Sequence, residues 1–298
     1  MEKELEQGSL ELVLNGVTIP SPPQIIADLQ LLMLDPNPDI KDIAKLIEQD
    51  PGLAGGVLKV TNSPIFGTNR IIHSISEAVM LLGLKTVNNV VNTLCLRSEL
   101  ADGDFAKNHA EFLNKFWDSC SDIAAISMLV AERTGNKALC DDAYLLGLFH
   151  NVGIVLLMKR FDNYESILMK SYNIGTDRVI DFENTHMNTN HSVVGYFVSK
   201  SWKTPKNVSE AISTHHSIFD ALSSRNRNDT VKVLISILKV AEHLSGFYKT
   251  VAGQAENYEW GTYENEVLIY LGLTQDDIDD LASLVNELGM GTAQDIYY

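Results

Sequence analysis

The run Gly147-Leu-Phe-His-Asn-Val-Gly153 sets a histidine beside an asparagine inside an otherwise apolar stretch. On a helix, glycines at i−3 and i+3 fall on the face of the central residue, where a missing side chain lets a neighbouring helix approach closely. The run therefore predicts a buried helix, with His150 as a hydrogen-bonded core histidine or, alternatively, as a residual ligand.

Outward from this run the periodicity stays helical. Ile25, Leu29, Leu32 and Met33 fall at i, i+4, i+7 and i+8; Ile40, Ile43, Ala44 and Ile47 repeat the pattern, as do Ile75, Ala78, Val79 and Leu82. Asp39 after Pro38 and Asp50 before Pro51 read as helix starts. Ser74 with Glu77 reads as a capping box, and so does Thr274 with Asp277. Beyond Thr274, the residues Ile278, Leu281, Ala282, Val285 and Leu288 line one face until Gly289. The fold class expected is all-α, a multi-helix bundle. Residues 1–17 read as a charged lead-in and 18–250 as the main domain, divided into an N-terminal helical subdomain (18–105) packed on a C-terminal one (106–250). An acidic helical segment, 251–298, follows.

The charge balance narrows the function. With 23 Lys+Arg against 39 Asp+Glu, the 298-residue chain carries a net charge of −16. Residues 253–298 hold ten acids and no Lys or Arg. Such a chain repels nucleic acid, and Arg225 with Arg227 form a loop rather than a basic patch. The tail reads as a solubilising surface; its sharper alternative is an acidic face (Asp276, Asp277, Asp279, Asp280) for a basic partner. Three cysteines, Cys95, Cys120 and Cys140, fit no zinc spacing and read as buried small hydrophobes of a reduced, cytoplasmic chain. The N-terminus is acidic where a signal peptide is basic, and the near-apolar stretch Ile123–Ala131 is too short to span a membrane.

Several ordered motifs are distinctive. In the first subdomain they are Ile19-Pro-Ser-Pro-Pro, Asp50-Pro-Gly-Leu, Thr61-Asn-Ser-Pro and Ala78-Val-Met-Leu-Leu-Gly-Leu. In the second they are Trp117-Asp-Ser, Gly147-Leu-Phe-His-Asn-Val-Gly, His191-Ser-Val-Val-Gly, Trp202-Lys-Thr-Pro and His215-His216. Together, over about residues 18–245, they resemble the HDOD family, the HD-related output domains of bacterial signalling proteins. That family is a degenerate relative of the HD and HD-GYP phosphohydrolases.

The resemblance implies a helical HD-like fold and locates a vestigial pocket. HD enzymes bind divalent metal through histidines and aspartates, and the metal activates a water for attack on phosphorus. Here the upstream histidine position falls on Asp118, the His-Asp pair on His150-Asn151, and the closing aspartate on Glu242. His191, His215 and His216 complete the positions, although adjacent residues on one helix point about 100° apart and only one of the last two would face a given site. An asparagine carbonyl is a neutral, poor metal ligand. The expectation is accordingly no catalysis and no cofactor, with a residual divalent metal as the exception. Asn62 and Ser63 are weaker binding candidates, against a plain turn. His73, His109, His186 and His243 read as surface or satisfied polar residues.

The function implied is a non-catalytic bacterial signal-transduction output module acting through protein–protein interaction. No receiver or cyclase domain is visible, so its input would come from a separate signalling partner. The alternatives are a metal-dependent phosphohydrolase with a remodelled site, and a nucleotide sensor. The sensor has little support, because only Lys203 and Lys206 lie near the histidine motifs.

Overall fold

A computed structural model describes residues 14–67, 70–101, 103–173, 178–226 and 228–291, and every regular element among them is helical. Most of the proposed lead-in (1–13), Asp102, Arg227 and Asp295 lie outside the described residues. The chain divides into two compact units, Pro20–Gly103 and a larger one joining Met1–Ile19 to Asp104–Tyr298.

The smaller unit contains α1 (Gln24–Leu32), α2 (Ile40–Glu48), α3 (Pro51–Thr61), α4 (Ile75–Leu82) and α5 (Leu84–Leu100). The caps read from sequence are present. Asp39 accepts from Lys41 N, and Asp50 accepts from Gly52 N and Leu53 N. Ser74 accepts from Glu77 N, but Glu77 does not return the bond; its carboxylate sits 3.9 Å from Arg70 instead. Asn62 uses its whole amide as a substitute peptide group. It donates to the carbonyls of Leu58 and Ile72 and accepts from Ile72 N at 2.8 Å. This holds the α3–α4 connection against the end of α3, so Asn62 acts as a structural clamp. Ser63 caps no helix by its side chain and leads into a short 3-10 turn at Pro64–Phe66.

The larger unit runs α6 (Gly103–Asn108), α7 (Ala110–Arg133), α8 (Cys140–Phe149), α9 (Val152–Arg160), α10 (Tyr164–Ser171), α11 (Val179–Met187), α12 (His191–Ser201), α13 (Lys206–Thr214), α14 (Ile218–Ser223), α15 (Asp229–Ser245), α16 (Phe247–Thr250), α17 (Tyr258–Leu271) and α18 (Gln275–Glu287). Its axis is α15, buried from Leu234 through Glu242. A helix apolar on all sides must be covered on all sides, and α7, α8, α13, α17 and α18 pack around it. The tail helix α18 has the full Thr274–Asp277 capping box and buries Ile278, Leu281 and Val285. Two of its acids are engaged within the chain: Asp277 and Asp280 lie 3.0 and 3.3 Å from Arg133. Asn15, in the lead-in, donates to Met187 O at 2.7 Å.

The stretch 137–160 is apolar and long enough by composition to cross a membrane, a feature the shorter Ile123–Ala131 run did not suggest. Most of it is buried inside the larger unit, as expected for a core segment. It is also not one helix, because the α-helical run is interrupted at His150-Asn151. Cys95 and Cys120 are buried, while Cys140 is half-buried.

Two glycines set the helix spacing. A Cβ at Gly147 would lie 2.5 Å from the Cα of Ala124 on α7, and one at Gly153 would overlap the carbonyl of His191 on α12. By contrast, a Cβ at Gly55 in α3 would meet open space. Gly153→Ala should therefore lose about 1–3 kcal/mol of unfolding free energy in urea denaturation. Gly55→Ala should gain about 0.5–1 kcal/mol from helix propensity.

Candidate functional site

Four histidines of the larger unit, His150, His191, His215 and His216, are fully buried and lie against one another. Ring centroids are 4.1 Å apart for His215–His216, 4.8 Å for His191–His216, 5.3 Å for His191–His215 and 5.4 Å for His150–His215. Each is delivered by a helix end, where backbone groups are left without intrahelical partners.

His150 follows the last residue of α8, and its Nδ1 donates to Gly147 O at 2.9 Å. His215 follows α13, and its Nδ1 donates to Ile212 O at 2.7 Å. His191 is the first residue of α12. Asn188, in the left-handed conformation, ends α11, and Asn190 caps α12 by accepting from Val193 N. This tight connection folds α11 back so that Glu183 meets the start of α12. Glu183 accepts from the His191 backbone N–H at 2.9 Å, from its Nδ1 at 2.8 Å and from the Tyr164 hydroxyl at 2.7 Å. A carboxylate is favoured at a helix N-terminus. His216 Nδ1 donates to Glu259 of α17 at 2.6 Å.

All four Nδ1 atoms are thus occupied, and no Nε2 has a hydrogen-bond partner. An imidazole whose Nδ1–H is held presents its Nε2 lone pair, which is how a metal-ligating histidine is oriented by its surroundings. Ligand-capable nitrogens of His191, His215 and His216 all lie within 4.8 Å of one another. Burial, followed by the positive charges around them, pushes His215 and His216 well below the usual histidine range, so both are neutral near pH 7. Neutral imidazole is the form that binds metal.

Lys239 of α15 is a buried ammonium held between Glu242 at 2.6 Å and Glu259 at 2.9 Å. Burial alone would depress it, but Glu242 and then Glu259 outweigh that and raise it. Burial would likewise raise Glu242, but Lys239 and then His150 hold it well below the carboxylate range. His150 Nε2 faces Glu242 Oε1 at 3.3 Å. Two lone pairs make that approach only with a proton or cation between them. The formal charge of Lys239 with Glu183, Glu242 and Glu259 is 1 − 3 = −2.

A single divalent ion fits this donor set. Three imidazoles are a usual donor set for one such ion, and the charge of 2+ would balance the three carboxylates and one lysine. A two-metal centre does not fit. Asn151 supplies no bridging carboxylate, and Lys239 already neutralises Glu242. Asn151 is fully buried, both ends of its amide are unpartnered, and the hydroxyl of nearby Tyr172 likewise lacks hydrogen-bond geometry.

The structure corrects two expectations. Asp118 is exposed on α7, because Trp117 and Cys120 take the buried face and Asp118 is rotated away from it. His215 and His216 both face the pocket, because they follow α13 rather than share a helix. Sequence reasoning also missed Glu183, Lys239, Glu259 and Tyr172. Only Lys239, one turn before Glu242 on α15, stood in a pattern that signals a pair.

These features define an all-helical HD-type bundle with a histidine pocket. The chain belongs to the HDOD family: the HDOD domain model matches residues 19–218. An uncharacterised protein of Treponema pallidum (strain Nichols) is 28% identical over 203 residues, covering 67% of this chain but only 38% of that protein's length. A protein from Shewanella amazonensis SB2B, named as a candidate phosphohydrolase, superposes with TM-score 0.65 at 19% identity, covering 95% of this chain and 97% of its own. One from Marinobacter aquaeolei VT8, named as a candidate signal transduction protein, gives TM-score 0.64 at 22% identity, covering 93% of this chain and 59% of its own. An HDOD protein of unknown function from Geobacter sulfurreducens gives 0.59 at 21%, covering 95% and 98%. At these identities the likeness is one of fold.

His243 departs from its expected satisfied state: it stacks on Trp260 at 4.6 Å with its Nδ1 unpartnered. Burial lowers it from 6.5 to about 4. A folded pKa below the unfolded one gives stability that is complete above 6.5 and is lost as pH falls towards 4. His243→Phe keeps the stack and removes the titration. Between pH 7 and 4.5 it should lose about 2–3 kcal/mol less than the parent in urea denaturation. Lys239→Met strands the buried Glu242 and the half-buried Glu259 and should cost about 3–5 kcal/mol at pH 7 in the same assay.

Proposed function

We propose that this protein is a non-catalytic regulatory module of bacterial signalling, acting in the cytoplasm through a protein partner, and that its histidine pocket holds one divalent metal ion structurally. The names attached to the structural neighbours point both to signal transduction and to phosphoester hydrolysis. The observation that supports the regulatory reading is the burial of the pocket. His150, Asn151, His191, His215 and His216 have no exposed surface.

A hydrolytic metal must be reached by water and substrate, and burial of all these residues disfavours that access. The bridging carboxylate that would hold a second metal is replaced by Asn151, and a lysine stands against Glu242. Protein recognition agrees with the surface. The acids of α18 that Arg133 does not engage, Asp276, Asp279 and Glu287, are exposed and suit a basic partner.

Protein purified without chelator should contain close to one divalent metal per chain by elemental analysis, and His191→Ala should lose it. Neither form should hydrolyse bis(p-nitrophenyl) phosphate or cyclic dinucleotides. Turnover by the parent that disappears in His150→Ala would instead establish the phosphohydrolase.

A further inference from the structure

The outer carboxylate of the pocket comes from outside the region the family model matches. That match ends at residue 218, whereas Glu259 sits in the first turn of α17. Its two oxygens are divided between His216 Nδ1 at 2.6 Å and Lys239 Nζ at 2.9 Å. Apart from its packing on α15 and the Trp260–His243 stack, few side chains anchor this helix. Along α17 only Trp260 and Val267 are buried, while Ile269 is 81% exposed. A helix with so few buried apolar contacts belongs to the low-stability end of a fold, where local opening is easiest.

We infer that Glu259 is a positioning residue for the pocket and that, through it, the docking of α17 is coupled to the ion held by His191, His215 and His216. This rests on the single-ion reading above. An ion on Nε2 of His216 withdraws electron density from the ring, which makes the Nδ1–H a stronger donor to Glu259. The ion therefore tightens α17. By reciprocity, a docked α17 holds His216 in the ligating orientation and tightens the ion. The pocket's state then reads out at a surface helix without any substrate entering.

Hydrogen–deuterium exchange across residues 258–271 tests this on the full chain, with Co2+ against chelator and bound metal measured in the same samples. Co2+ should slow exchange there by about tenfold or more in the parent. In Glu259→Gln the slowing should vanish while the ion still binds, weakened by roughly 10–100-fold. Glu264→Gln, on the same helix away from the pocket, should behave as the parent does. Bound Co2+ without slower exchange in the parent overturns the coupling alone. So does full slowing in Glu259→Gln. No bound Co2+ in the parent overturns both this inference and the metal site. Should Glu259→Gln not fold, the parent comparison still decides.

Discussion

The pocket depends on how closely α9 runs past the start of α12. Gly153 makes that approach possible, because a Cβ there would occupy the place of the His191 carbonyl. At Gly195 of α12 the demand is milder: a Cβ there would make ordinary contact with His150 O at 3.5 Å and a tight one with the Ile212 side chain at 3.1 Å. The interruption at His150-Asn151 and the first residue of α12 are thereby brought together beside the end of α13. Helix ends normally leave carbonyls and amides without partners. Here two of those ends are satisfied by Nδ1 atoms of the pocket histidines themselves, and a third by Glu183. Folding and the orientation of the pocket are one set of interactions.

The electrostatics follow from enclosure. Buried imidazoles whose Nε2 atoms lack hydrogen-bond partners are costly. Three carboxylates against one ammonium are costlier still. A bound divalent ion answers both costs at once, which is why the donor geometry and the charge count lead to the same conclusion. On the proposed reading, enclosure also limits the access that hydrolysis requires, and Asn151 with Lys239 disfavours a second cation.

Much of this was legible in the sequence because it is local. Helix periods, the Asp39, Asp50 and Thr274 caps, and the glycines around His150 each act within a turn or two, and each is present. The pocket positions at His150, His191, His216 and Glu242 were legible through ordered motifs. What the sequence could not convey was where helices stop. On one helix His215 and His216 would point about 100° apart, but α13 ends before them and both turn inward. Asp118 was placed by its neighbour Trp117, yet the phase of α7 turns it outward. Glu183 and Glu259 reach the histidines across 8 and 43 residues and had no local signature.

The central claim is a closed pocket holding one ion on three imidazoles. X-ray absorption at the metal edge of Co2+-loaded protein tests it most directly. The account predicts a single absorber with three imidazole nitrogens at about 2.0–2.1 Å and no metal neighbour. A metal–metal scatterer at about 3.5–4 Å would place a two-metal hydrolytic centre in the pocket and contradict it.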